Sequence, residues 1–166
     1  MIKRKYLYFI IFYFVFNIFI IKAEDMIEIG ANAPLFTLND YMGNEYSLSS
    51  FKGKKFIVLI FYPGDETPTC TEQLCEIRDD YSLFEKKDAV VFGINTQAKD
   101  SHEKFSVKYK FQFPLLIDKD KTIVKAYKTK GFIMTTRTVY VIDKSGKIIY
   151  AQRGKPAVSD ILKSIP

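Results

Sequence analysis

Cysteine and histidine are scarce in this chain, which holds two cysteines and a single histidine, His102, in 166 residues. That scarcity excludes a disulfide-dense miniprotein, and a four-ligand structural zinc site could be completed only with carboxylates. Glycine-rich phosphate loops are lacking too. Gly64 stands alone, and neither a G-x-G-x-x-G run nor a P-loop occurs, so nothing marks a flavin, nicotinamide or nucleotide site and no cofactor or metal is expected. Excess charge nearly disappears once it is located. Lys and Arg number 25 against 19 Asp and Glu, a net +6, but Lys3, Arg4, Lys5 and Lys22 fall in the first 23 residues, where there is no acid. The remainder is close to neutral, which removes the support for nucleic-acid binding. What is present is apolar: 48% of the residues, enough to bury a core. Chemistry in such a chain runs through the thiols.

The first 25 residues are unlike the rest. Tyr6 to Ile21 is an apolar run broken only by Asn17, preceded by the basic cluster Lys3, Arg4, Lys5. This is the layout of an export signal. A helix of that length would span about 24 Å, short of the ~30 Å hydrocarbon core, so a signal peptide or short signal-anchor fits better than a full membrane span. Ala23 could precede a cleavage site, although Ile21 and Lys22 are not the small residues such a site prefers. The expectation is export or membrane anchoring, to the periplasm or its equivalent. The alternative is that translation starts at Met26, which would leave the protein cytoplasmic.

Residues 26–166 show no repeat and no low-complexity linker, and read as one domain. Ile29 to Leu38 and Tyr46 to Leu48, across Gly43 and Asn44, predict an opening hairpin. Phe56 to Tyr62 and Ala89 to Ile94 are continuous apolar runs of the kind a strand buried on both faces requires. Between them, Leu74, Ile77, Tyr81 and Phe84 recur at helical spacing, predicting one helix from about Thr69 to Lys87. A helix capped by Asp100 or Ser101 runs to Lys110, followed by a strand at Pro114 to Ile117 and a short helix at Thr122 to Tyr127. A hairpin of Arg137 to Ile142 and Lys147 to Gln152 and a helix at Val158 to Ile165 close the chain. Alternating strands and helices give an α/β domain with a mixed central sheet covered on both faces, as in thioredoxin-like or small flavodoxin-like folds.

The informative stretch is the loop after the first buried strand, running from Phe61 to Cys75. Cys70 falls in the first turn of the following helix, where free N–H groups and the helix dipole favour thiolate over thiol. It is the nucleophile candidate; the plain alternative is an inert buried thiol. Thr67 is placed to hydrogen-bond the sulfur, and Pro63 and Pro68 stiffen the loop by fixing φ. Cys75 lies five residues on. On an intact helix the two Cα atoms stand roughly 8–9 Å apart, beyond the ~7 Å limit for a disulfide. A bond between them requires the helix start to unwind; otherwise Cys75 simply faces the core beside Leu74 and Ile77.

The sequence Pro63-x-x-x-Thr67-x-x-Cys70 resembles the active-site motif of peroxiredoxins. The frame Thr67-Pro68-x-Cys70-Thr71, the five-residue cysteine offset and Ile77-Arg78-Asp79 resemble the subfamily called bacterioferritin comigratory protein or peroxiredoxin Q. The likeness extends over nearly all of 26–166, including Gly30 to Leu38, Phe113 to Asp118 and Arg137 to Ile148. It implies a thioredoxin-like fold and a thiol-dependent peroxidase acting on hydrogen peroxide and organic hydroperoxides. Cys70 would be the peroxidatic cysteine and Cys75 the resolving one. Thr67 would hydrogen-bond thiolate and peroxide, Pro63 would shield the site, and Arg137 would supply a permanent charge at the sulfur. A thioredoxin-like dithiol protein would recycle a monomeric enzyme. Without the motif, Arg137 would read as a polar residue opening an edge strand. One departure stands out: Thr69 occupies a position where the family usually has glycine.

Two rivals use other chemistry. A membrane-anchored thioredoxin-like copper chaperone needs a C-x-x-x-C pair and a distant histidine, whereas here the spacing is one residue longer and His102 sits in a polar helix start, as a solvated side chain would. A thioredoxin-type thiol–disulfide oxidoreductase wants C-x-x-C, which the chain does not contain.

Overall fold

The computed structural model describes residues 26–166; the basic cluster and apolar run fall outside the described residues. Among the described residues, no helix is long and apolar enough to cross a membrane.

Strands β3 (Phe56–Phe61) and β4 (Ala89–Asn95) pair in parallel at the heart of a five-stranded sheet. Strand β5 (Leu115–Ile117) adds in parallel to β4. On the other side β6 (Thr138–Ile142) and β7 (Ile148–Arg153) are antiparallel, giving the order β5-β4-β3-β6-β7. The continuous apolar runs are explained by this placement, because side chains alternate between two buried faces. Val58, Ile60 and Tyr62 point to one face, where they meet Leu74, Ile77, Phe84, Phe105 and Ile161. Ile57, Leu59 and Phe61 point to the other, against Phe36, Phe92, Val124 and Tyr127. Each such side chain contributes about 1.5–3 kcal/mol by leaving water.

Helices α1 (Pro68–Asp79), α2 (Tyr81–Lys86), α3 (Lys99–Tyr109) and α5 (Val158–Ser164) supply the first face; α4 (Thr122–Ala126) and the N-terminal hairpin supply the second. Gly93 permits the tight contact between β4 and its neighbours, since a Cβ there would lie 2.6 Å from Leu115 Cδ2 and 3.2 Å from Tyr62. At one pole, Asp88, just before β4, accepts from Lys55 Nζ and Lys144 Nζ, each at 2.5 Å, which joins the start of β3 to the end of β6.

Several boundaries differ from the sequence expectation. The predicted helix to Lys87 is two helices, broken at Asp80, whose φ of −97° and ψ of 10° leave the helical well. The break lets Tyr81 lie against Phe113, ring centroids 5.9 Å apart, while Phe84 enters the core. The opening hairpin is shorter, with only β1 (Thr37–Asn39) and β2 (Glu45–Ser47) pairing. Residues before Pro34 instead bond to the β6–β7 turn, through Gly30 N–H to Ile148 O at 2.8 Å and Ala33 N–H to Gly146 O at 2.9 Å. Neither Asp100 nor Ser101 caps α3, which begins after Ala98. The Ser101 hydroxyl is engaged elsewhere, in the site described next. Strand β6 is internal to the sheet, so Arg137 does not open an edge strand.

Candidate active site

Strand register brings distant residues to one end of the sheet. Phe61 pairs with Thr138 on one side and with Ile94 on the other. The chain leaving β3 as Tyr62 to Thr67 is therefore flanked by Arg137, entering β6, and by the residues leaving β4. Thr67 is the N-cap of α1, with extended backbone (φ −71°, ψ 143°), and its carbonyl accepts from Thr71 N–H at 2.9 Å. Pro68 takes the first helical position, where its missing N–H costs nothing.

Cys70 follows in that first turn, fully buried and unbonded to any other cysteine. Arg137 Nη2 donates to Cys70 Sγ at 2.9 Å. The guanidinium's other arm, Nη1, donates to Gln73 Oε1 at 2.5 Å. Gln73 lies one turn after Cys70 on α1 and is itself buried, so the fork of Arg137 is aimed by a side chain on the nucleophile's own helix. Helical spacing from Cys70 could have singled out Gln73, which the sequence reading missed.

Cys75 is on the same helix, partly buried and free, with α1 intact between the two thiols. Burial pushes its thiol up from the ordinary value; Arg78 counteracts this and Asp79 adds to it. A protonated, half-accessible thiol is a poor first nucleophile. The Thr67 hydroxyl donates to Gly64 O at 3.3 Å, a long bond for a hydroxyl and one readily exchanged for another acceptor. Pro63 is half-buried, and the Glu66–Thr69 segment that follows it is exposed. Thr69 itself is exposed within the helix, so its β-branch meets no positive-φ demand there. The left-handed residue of the loop is Glu66, at φ 57°.

A second cluster lies beside this one. Asp65 is buried, and its Oδ1 accepts from Tyr62 Oη at 2.8 Å and Asn95 Nδ2 at 3.0 Å. Its Oδ2 accepts from Ser101 Oγ at 2.6 Å and contacts His102 Nδ1 at 2.8 Å. Burial opposes ionisation of Asp65, but the hydrogen bond and charge of His102, with the Ser101 and Tyr62 hydroxyls, outweigh it and hold the carboxyl below its usual range. Burial and the neighbouring Asp65 push the Tyr62 phenol well up. His102 is thus not the solvated side chain expected from sequence. It is fully buried, because it stands one turn before Phe105 on the inward face of α3, and its Nε2 faces Leu116 O at 3.3 Å. Turned to these partners, it does not serve the cysteines as a third metal ligand.

A reduced thiol in the first turn of a helix, with a guanidinium on its sulfur and a thioredoxin-like sheet behind it, defines a thiol-based oxidoreductase. Residues 29–151 match the AhpC/TSA family. Peroxiredoxin Q of Sedum lineare chloroplasts is 42% identical over 132 residues, covering 76% of this chain and 70% of that protein. The putative peroxiredoxin bcp of Coxiella burnetii is 41% identical over 133 residues, covering 74% and 85%. Some chloroplastic relatives are longer; the chain spans 57% of the rice peroxiredoxin Q to which it is 44% identical. Among solved structures, peroxidoxin BcpB of Mycobacterium tuberculosis superposes with a TM-score of 0.78 at 27% identity, covering 83% of this chain and 96% of that one. A PrxQ variant from Xylella fastidiosa gives 0.77 at 26%, covering 84% and 95%. The chain belongs to the AhpC/TSA family, in its peroxiredoxin Q and bcp branch. It is an enzyme, a thiol-dependent peroxidase.

Proposed function

We propose that this peroxidase works through Cys70 as peroxidatic and Cys75 as resolving cysteine, on hydrogen peroxide and organic hydroperoxides. The observation that carries the assignment is the 2.9 Å contact of Arg137 Nη2 with Cys70 Sγ in the first turn of α1. Thiolate sulfur attacks the near peroxide oxygen, the O–O bond breaks, and the leaving oxygen takes a proton to depart as water or alcohol, leaving a sulfenic acid. Arg137 is placed to stabilise charge first on sulfur and then on the departing oxygen. Thr67 can turn its hydroxyl from Gly64 to the peroxide, and Pro63 walls the sulfur from solvent. The start of α1 then opens, Cys75 sulfur attacks Cys70 sulfur, and water leaves as the disulfide forms. A thioredoxin-type dithiol protein reduces that disulfide by exchange. Cys75 as a side-exposed thiol on the same helix supports this order.

Mass spectrometry of the reduced protein after one equivalent of hydrogen peroxide tests the cycle. A loss of two mass units assigned to a Cys70–Cys75 link, reversed by thioredoxin and its reductase, is the expected result. The Cys75→Ser variant should complete one rapid turnover and then stall; full steady-state activity in it would make Cys75 structural.

The chain acts as a monomer, to be checked by sedimentation of the same sample. The basic cluster and apolar run of residues 1–25 support export or membrane anchoring of the domain. The reductant would then be a dithiol protein of that compartment. Fractionation of cells expressing the full chain should find it outside the cytosol, and recovery in the cytosolic fraction would assign the start to Met26.

A further inference from the structure

We propose that Asp65 and His102 are positioning residues for the resolution step: together they form a latch that holds the loop ahead of α1 closed, and its release permits Cys70 to reach Cys75. This rests on the roles given above to the two cysteines.

Five residues apart on an intact helix, the two Cα atoms stand roughly 8–9 Å from each other, so the first turn of α1 must unwind before a disulfide can close. Unwinding relocates Thr67 to Thr71. Upstream, that segment is moored at Asp65, two residues before the N-cap, and the mooring is unusually broad. One carboxylate gathers Tyr62 just past β3, Asn95 at the end of β4, and Ser101 and His102 on α3. His102 carries the tie onward to β5 through Leu116 O. The backbone N–H of Asp65 donates to Gln97 Oε1 as well.

The side chains of His102 and Asp65 are 0% and 1% exposed, so no water is at hand to replace these bonds while the loop is shut. Downstream, the chain changes character at once. Glu66, at φ 57°, takes a conformation that costs a non-glycine residue energy, and Glu66 to Thr69 are exposed. Beyond Asp65 the side-chain ties of the segment are weak ones, the exposed Glu66–Lys108 pair at 2.9 Å and the 3.3 Å bond from Thr67 to Gly64 O, so the buried Asp65 cluster is its principal restraint. Nothing in peroxide reduction itself uses the Asp65 carboxylate or the His102 ring, which touch neither Cys70 nor Arg137 in the contacts described.

The latch sets a competition. Sulfenic Cys70 either condenses with Cys75, releasing water, or is attacked by a second peroxide to give a sulfinic acid and water or alcohol. A firm latch prolongs the closed state and favours the second outcome; a loosened one favours the disulfide. The test is the ratio of sulfinic Cys70 to Cys70–Cys75 disulfide, read by mass spectrometry over a peroxide series on the full chain, with amide hydrogen exchange of the reduced protein alongside.

Asp65→Asn and His102→Gln should each lower the sulfinic fraction roughly fivefold, the worth of one net hydrogen bond, and Ser101→Ala by about twofold. The double variant should shift it no further than the stronger single one, because both changes undo one latch. Amides of Cys70 to Leu74 should exchange faster while those of β4 and β6 do not. Ser101→Ala removes only a hydroxyl and keeps the test open where the buried pair cannot be broken without unfolding. An unchanged ratio in folded variants would overturn the latch alone, as would faster exchange spread evenly over β4 and β6. A wild-type protein that forms no Cys70–Cys75 disulfide would overturn the underlying roles of the cysteines, and the latch with them.

Discussion

Cys70→Ser is expected to abolish peroxide reduction, lowering kcat/KM by on the order of 10⁴ or more, as loss of a covalent nucleophile does. The fold should survive. Serine is smaller by little, and its hydroxyl can accept from Arg137 Nη2 in place of the sulfur, so the half-buried Arg137 keeps a partner. Cys75 does not take over the reaction. Its thiol is pushed up by burial, and thiolate rather than thiol attacks peroxide. Among the described residues no guanidinium hydrogen-bonds its sulfur; Arg78, engaged by Asp79 and Tyr109 O, acts on it through charge alone. Steady-state peroxide consumption with a thioredoxin system measures the loss directly. Turnover within tenfold of wild type, in a variant with an unchanged melting temperature, would remove Cys70 from the role of nucleophile.

Arg137→Ala carries the second large effect. The change withdraws the donor on Cys70 sulfur and strips Gln73 Oε1 of its charged partner. Removing a single donor to a developing negative charge costs about 10²–10³ in rate, and the second-order rate of peroxide reduction by the reduced enzyme should fall by that factor. Arg137→Lys should recover only a part of it. One ammonium cannot bond Gln73 and the sulfur at once in the geometry of the planar fork. Stopped-flow measurement of the first oxidation isolates this step from resolution and recycling. A decrease of less than about threefold in Arg137→Ala would reduce the residue to a polar entry into β6.

These two residues show which parts of the site the sequence disclosed. The position of Cys70 was readable locally, because a buried-strand run, a proline-bounded loop and a helical repeat in succession put it in a first helical turn. Arg137 was not. Its contact with Cys70 spans 67 positions and depends on Phe61 pairing with Thr138, a register that no local pattern encodes. Only the family motif pointed to it. Strands β3 and β4 were legible as unbroken apolar runs for the reason that both sheet faces are covered. The helix break at Asp80 was not, since apolar spacing continues through it while the backbone turns to seat Tyr81 on Phe113.

His102 failed in a more instructive way. Among Lys99, Asp100, Glu103 and Lys104 it looked solvated, yet its three-residue offset from Phe105 placed it on the inward face. Asp65 had no such cue. A lone carboxylate in a loop is ordinarily a surface group, and its burial follows from donors on β4 and α3 that only the folded domain brings together.

The entry of the chain into the domain bears on how the protein can be handled. Met26 and Ile27 lie against the cluster beneath the hairpin, with Ile27 N–H donating to Tyr140 Oη at 3.2 Å, whereas Cys70 and α1 belong to the opposite face of the sheet. A tag or surface coupling attached ahead of Met26 would emerge from the reverse side. An electrode or resin loaded through that end would leave the Glu66–Thr69 segment turned outward, open to peroxide and to a docking dithiol protein alike.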